Sequence, residues 1–100
     1  MTRQLDAPPV LGSPSPGLDL RRAVEAALAV LIAPLTPAER AGLADTLLGA
    51  LARTAAMGDT CLVLPAAEAV GLARAHLHLG DDVSASAALV AARDHLNRRP

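Results

Sequence analysis

The sequence predicts an all-α fold, an antiparallel bundle of about four short helices behind a disordered N-terminal arm. Three observations carry that expectation. Apolar residues recur every three to four positions in four successive segments. Each segment is bounded by its own helix start and stop residues. The one run that could form a strand, Cys61-Leu62-Val63-Leu64, is short and has no second strand to pair with.

Residues 1–17 hold Pro8, Pro9, Pro14 and Pro16 with Gly12, Gly17, Ser13 and Ser15, a composition that resists helix and sheet alike. They form the expected arm, and residues 18–99 form the expected single helical domain. Asp19 is placed to cap the first helix, whose stripe is Leu20, Val24, Leu28 and Leu31, with Arg21, Arg22 and Glu25 to the side. Pro34 ends it. Thr36-Pro37-Ala38-Glu39 is a capping box with proline at the first helical position, where its missing N–H costs no bond.

The second helix carries Leu43, Leu47, Leu51 and Thr54 on one face and stops at Gly58. Its glycines Gly42 and Gly49, seven apart, suggest either close approach of another helix or the wall of a ligand groove. Residues 59–64 connect and plug one end of the core, with Cys61 as a small buried apolar residue. Pro65 opens the third helix, with Glu68 in its first turn and Gly80 beyond its end. Val70, Ala73 and Leu77 form one edge of its stripe, and Leu72, His76 and Leu79 the other. Asp81 or Asp82 caps the fourth helix, along which Ala85, Leu89, Ala92 and Leu96 make a narrow coiled-coil-like seam.

Composition removes several function classes. Of 100 residues 52% are hydrophobic, yet Phe, Tyr and Trp are absent, so no side chain can stack on an unpaired base, cage a quaternary ammonium or stack on a sugar. All nine basic residues are Arg and the formal net charge is -1, which leaves no broad basic surface for a phosphate backbone. A helix-turn-helix is disfavoured too, because the fourth helix has only Arg93 and the terminal Arg98 and Arg99. No nucleic-acid partner is expected. The apolar run 23–33 is well short of the roughly 20 residues that cross a bilayer, and it contains Glu25. Neither a membrane partner nor a secretory signal is expected, and a single cysteine needs no oxidising compartment. A cytoplasmic location follows.

Chemistry-bearing constellations are sparse. His76 and His78 are two apart on a helix and point to opposite sides, so they cannot share one ion as residues four apart can. His95 could meet one of them across a hairpin, near Asp81, Asp82 and Asp94. Ser13 and Ser15 lie in the arm and Ser84 and Ser86 in a first helical turn, none in the strand-to-helix elbow that exposes a nucleophile. The dispersed glycines make no phosphate loop, and Asp81-Asp82 is not a calcium loop. No catalytic residue, cofactor or metal ligand is assigned.

Residues 69–97 resemble one tetratricopeptide-type hairpin: Leu72, Ala73 and His76, then Leu79-Gly80-Asp81 at the turn, then Ala85, Leu89 and Ala92. His76 stands where that family usually has Tyr or another large residue, and Asn97 where it usually has Pro. The resemblance implies a peptide-binding face that would include Arg74 and His78, the candidate interaction surface. The order of helices, with Val70-Gly71-Leu72-Ala73-Arg74, Leu79-Gly80-Asp81 and Arg93-Asp94-His95-Leu96, is also similar to a family of small all-helical proteins of unknown function from high-GC bacteria, labelled natural-product biosynthesis proteins. That similarity implies an accessory or regulatory role and assigns no residue.

About 80 ordered residues without aromatics, each of which would bury about 150–250 Å², make a core short of volume. Burying a further leucine-rich stripe in a partner would offset that shortage, by about 2 kcal/mol per fully buried Leu. A non-enzymatic protein-interaction or regulatory module, working as a homodimer or with a protein partner, is the leading expectation. The second is an accessory protein binding a small molecule or acyl chain near Gly42, Gly49 and residues 61–64. The third is a metal site or enzyme built on His76 or His78 with His95 and an Asp.

Overall fold

The computed structural model describes residues 17–98. The expected disordered arm therefore lies, apart from Gly17, outside the described residues. Four α-helices follow in order: α1 (Leu18–Val30), α2 (Pro37–Ala56), α3 (Leu64–His78) and α4 (Asp82–Asn97), with a short 3-10 helix over Thr60–Val63 before α3. Among the described residues there is no strand. Each helix packs on its neighbours in sequence, and α1 also packs on α4, which closes the ring of an up-down-up-down bundle.

The helix ends follow local chemistry. At the start of α2 the Glu39 N–H donates to Thr36 Oγ1 at 3.1 Å, and the Thr36 N–H donates to Glu39 Oε1 at 2.8 Å, which completes the expected box. Asp81 caps α4 by accepting from the Ser84 N–H at 3.0 Å. Helices α2 and α3 end alike. Gly58 and Gly80 take the left-handed conformation, and two crossed backbone bonds close each last turn: Asp59 N–H to Thr54 O with Gly58 N–H to Ala55 O, and Asp81 N–H to His76 O with Gly80 N–H to Leu77 O.

Two expected helix starts are corrected. Asp19 lies within α1, whose cap is Gly17 at φ 79°, and no side chain caps that helix. The Asp19 carboxylate instead accepts from Arg53 Nε at 3.0 Å, across to the end of α2. Because α3 starts at Leu64, Glu68 falls beyond its first turn.

The core is built from small side chains. Nine of the seventeen buried apolar residues among those described are Ala, and the largest members are leucines such as Leu20, Leu47, Leu77 and Leu89. The α4 seam Ala85, Leu89, Ala92 and Leu96 is buried as expected, as are Val70, Ala73 and Leu77 of α3. Leu28, Leu31, Leu43 and Leu51 pack on it while partly exposed. Thr54, the one buried polar residue among those described, donates its hydroxyl to the Ala50 carbonyl at 2.8 Å.

Three other expectations fail. The second edge of α3 is not in the core: Leu72 is 59% and Leu79 81% exposed. Cys61 is exposed, since the 3-10 turn sends only Val63 inward as the plug. Gly42 has nothing within 4 Å of where a Cβ would sit, and Gly49 would meet only the Arg53 side chain, so no helix approaches closely at either. The glycine that does permit close approach is Gly17. A Cβ there would lie 2.9 Å from Val63 Cγ1 and 3.1 Å from Leu96 Cδ2.

Four arginines each tie a different pair of helices. Arg40 of α2 pairs with Asp82 of α4, Arg53 of α2 with Asp19 of α1, Arg21 of α1 donates to the Leu96 carbonyl of α4 at 3.1 Å, and Arg74 of α3 donates to the Ala44 carbonyl of α2 at 3.0 Å. Leu96 is in the last turn of α4, where carbonyls lack intrahelical partners and carry the negative end of the dipole, so a guanidinium satisfies both needs. Every tie joins residues that the alternating helix directions bring to one level.

Candidate functional site

Arg74 and His78 lie one helical turn apart on the flank of α3 toward α2. Arg74 is half-buried and spends its Nε on the Ala44 carbonyl, so part of the guanidinium serves the fold. His78 is exposed. It lines a shallow cleft of about 300 Å³ with Pro37, Arg40, Leu77, Leu79 and Gly80. Arg40 is engaged there by Asp82, whose hydrogen bond outweighs partial burial and raises the guanidinium pKa further above its ordinary value.

The histidines do not converge. His95 lines a different cleft, with Leu62, Val63, Pro65 and Ala66 at the start of α3, whereas His78 ends that helix. At about 1.5 Å per residue the two ends are roughly 20 Å apart, which corrects the expected meeting across the hairpin. His76 Nδ1 lies 4.0 Å from Asp81 Oδ2. Hydrogen bonds from Ser84, side chain first and backbone N–H next, hold the Asp81 carboxyl below its ordinary value, and His76 contributes less. Its role is structural, as the cap of α4. Among the described residues no group of three His, Cys, Asp or Glu could hold a metal ion.

Gly42 faces open space, and the clefts at the two ends of the bundle are lined by neither Gly42 nor Gly49. The cleft that reaches Leu62 and Val63 holds about 130 Å³, below the roughly 300 Å³ at which small-molecule pockets begin. No described helix is long and apolar enough to cross a membrane.

What the surface does present is apolar. Among the described residues, ten large aliphatic or thioether side chains remain exposed around a core that is more than half Ala. One face of α3 and its cap residue exposes Pro65, Glu68, Leu72, Ala75 and Leu79, and one face of α4 exposes Val83, Ala87, Val90, Asp94 and Asn97, while Leu64, His78 and Ala91 are exposed beside them. Both series recur at three and four residues, so each is one continuous strip. Near the hairpin turn the two strips are wholly aliphatic: Leu72, Ala75, Leu79, Val83, Ala87 and Val90. Their charges, Glu68 and Asp94, are at the far end.

Sequence reasoning saw the edge Leu72, His76, Leu79 but assigned it to the core. The missed signal is that α3 is the most apolar of the four helices and the least amphipathic, the pattern of a helix covered on every side. The bundle covers only part of it. Over the residues that carry the tetratricopeptide resemblance, α3 and α4 do form an antiparallel hairpin. No protein-family model, curated protein or solved structure matches the chain.

Proposed function

We propose that the protein is a small, non-enzymatic interaction module of the cytoplasm that works by packing the outward face of its α3–α4 hairpin against a protein partner. One observation carries the proposal: Leu72, Ala75, Leu79, Val83, Ala87 and Val90, spaced three or four apart along the outer strips of the hairpin, are all exposed and aliphatic, while the core is built largely from Ala. A contiguous apolar patch of this kind is the usual mark of a surface that is covered when the protein acts. The cytoplasmic part of the proposal rests on a single cysteine and the absence of any need for a disulfide.

Methyl NMR tests it. With leucine methyls labelled, the full chain is placed in a concentrated extract of the cells it comes from. The Leu72 and Leu79 signals are expected to shift or broaden beyond those of the core residues Leu20, Leu47 and Leu89. If exposed and buried methyls respond alike, the hairpin face is not a contact surface and the proposal fails.

A further inference from the structure

Resting on that reading, we infer that the element which packs on the hairpin face is a basic amphipathic helix of another protein, apolar on one side and flanked by Lys or Arg. The make-up of the chain leaves a helix as the occupant. An added strand needs an unpaired sheet edge, and no strand occurs among the described residues. A proline-rich segment needs an aromatic-lined groove, and the chain has no aromatic residue. An acidic or phosphorylated motif needs a cluster of free arginines, whereas Arg74, the arginine of α3, is bonded to the Ala44 carbonyl of α2. What the face offers is the outer surface of two packed helices, into whose grooves the ridges of a third helix fit.

Side-chain size marks where such a helix would seat. Counting equal rises from the turn sets Leu79 about level with Val83, Ala75 with Ala87 and Leu72 with Val90. The two alanines form a low saddle between four larger side chains, suited to one bulky apolar anchor of the incoming helix.

Charge selects the sign of the partner's flanks. Glu68 and Asp94 are exposed at the end of the strips away from the turn, and no described residue pairs with either carboxylate. Asp81 is exposed at the turn itself, where hydrogen bonds from Ser84 favour its ionised form. Against these three carboxylates the described hairpin exposes one guanidinium, Arg98, a turn beyond Asp94. Arg93 is half-buried, Asp82 is bonded to Arg40, and the exposed His78 lies on the flank toward α2. A helix with acidic flanks would set like charges together in a partly desolvated contact, while a basic one meets Glu68 and Asp94 with opposite charge.

The test uses purified, leucine-methyl-labelled full chain and two synthetic helices of about 16 residues, long enough at 1.5 Å per residue to span the strips. Both carry Leu on one face and Ala elsewhere, one with Lys on its flanks and the other with Glu in place of each Lys. The Lys helix is expected to shift the Leu72 and Leu79 methyls saturably and to leave those of Leu20, Leu47 and Leu89 in place. The Glu helix should bind roughly tenfold more weakly or worse, and added salt should narrow the gap. Glu68→Lys with Asp94→Lys should reverse the preference. Glu25→Lys with Asp45→Lys, which reverses two exposed carboxylates on α1 and α2, should preserve it. Far-UV circular dichroism confirms that each variant is folded.

Equal binding of the two helices overturns the inference, as does a preference indifferent to the Glu68 and Asp94 changes, or one lost equally in the Glu25 and Asp45 variant. If the Lys helix leaves Leu72 and Leu79 unmoved while their methyls respond in extract, the basic helix is refuted and the interaction surface stands. If they are silent in extract as well, both fall.

Discussion

Arg40 and Asp82 join the starts of α2 and α4 through two hydrogen bonds, Nε to Oδ1 at 2.8 Å and Nη2 to Oδ2 at 3.2 Å. The two helices lie across the diagonal of the bundle and have little other contact. Both side chains are about three-quarters buried. Removing either partner leaves the other short of water and of its counter-charge. Arg40→Ala and Asp82→Ala should each lower the thermal midpoint, and the double variant should lose less than the sum of the two. Arg40→Lys should not recover the midpoint, because one ammonium cannot match both carboxylate oxygens. Calorimetry of the wild type and the four variants checks this.

The glycines should respond with opposite signs. Gly17→Ala forces a Cβ into a left-handed residue and against Val63 and Leu96, so it should cost about 2 kcal/mol or more. Gly58→Ala meets the same backbone strain in open space and should cost about 1 kcal/mol. Gly42 sits in an exposed helix interior with nothing near, so Gly42→Ala should stabilise by about 0.5–1 kcal/mol. Urea denaturation measures all three, and a destabilising Gly42→Ala would mean that the site is covered.

Acid should weaken the cap of α4. The Asp81 carboxyl titrates below its ordinary value in the folded chain because Ser84 hydrogen-bonds the ionised form. Its contribution is therefore complete above the unfolded value of about 3.9 and is lost as pH falls through the lower, folded value. Denaturation midpoints followed downward from neutral pH should fall in that acid window, and Asp81→Asn should show a smaller fall. Equal slopes for the two proteins would contradict the cap. At the other capped helix, Thr36→Ala should cost about 1 kcal/mol with no such pH dependence.

Core and face should separate in stability. Leu89→Ala removes a fully buried side chain from the α4 seam and should cost about 2–5 kcal/mol. Leu79→Gln changes a side chain that is 81% exposed and should stay within about 0.5 kcal/mol when measured on dilute, monomeric protein. A large loss from Leu79→Gln would place it in the fold after all.

Much of the bundle is legible in the sequence because its signals are local. The Thr36 to Glu39 box, the left-handed stops at Gly58 and Gly80, and the seam from Ala85 to Leu96 depend on residues within a few turns of one another. The interhelix ties are not of that kind. Asp19 and Arg53 are 34 residues apart, and Arg21 and Leu96 are 75 apart, with no mark in either neighbourhood. Nor does periodicity decide which edge of an apolar helix is covered. Leu72 and Val70 look alike as letters, and only the positions of α2 and α4 put one outside and the other inside. The exposure of Cys61 escapes the sequence for a related reason: an apolar neighbourhood does not fix direction in a 3-10 turn.

Sedimentation velocity in a native extract tests the central claim most directly, since it asks whether the aliphatic face of the hairpin is covered where the protein works. The tagged full chain is compared with its Leu72→Gln, Leu79→Gln variant. The account predicts that the wild-type chain sediments in an assembly heavier than its 10.1 kDa monomer and that the variant sediments as the monomer. A wild-type chain that sediments as a monomer in that extract would contradict it.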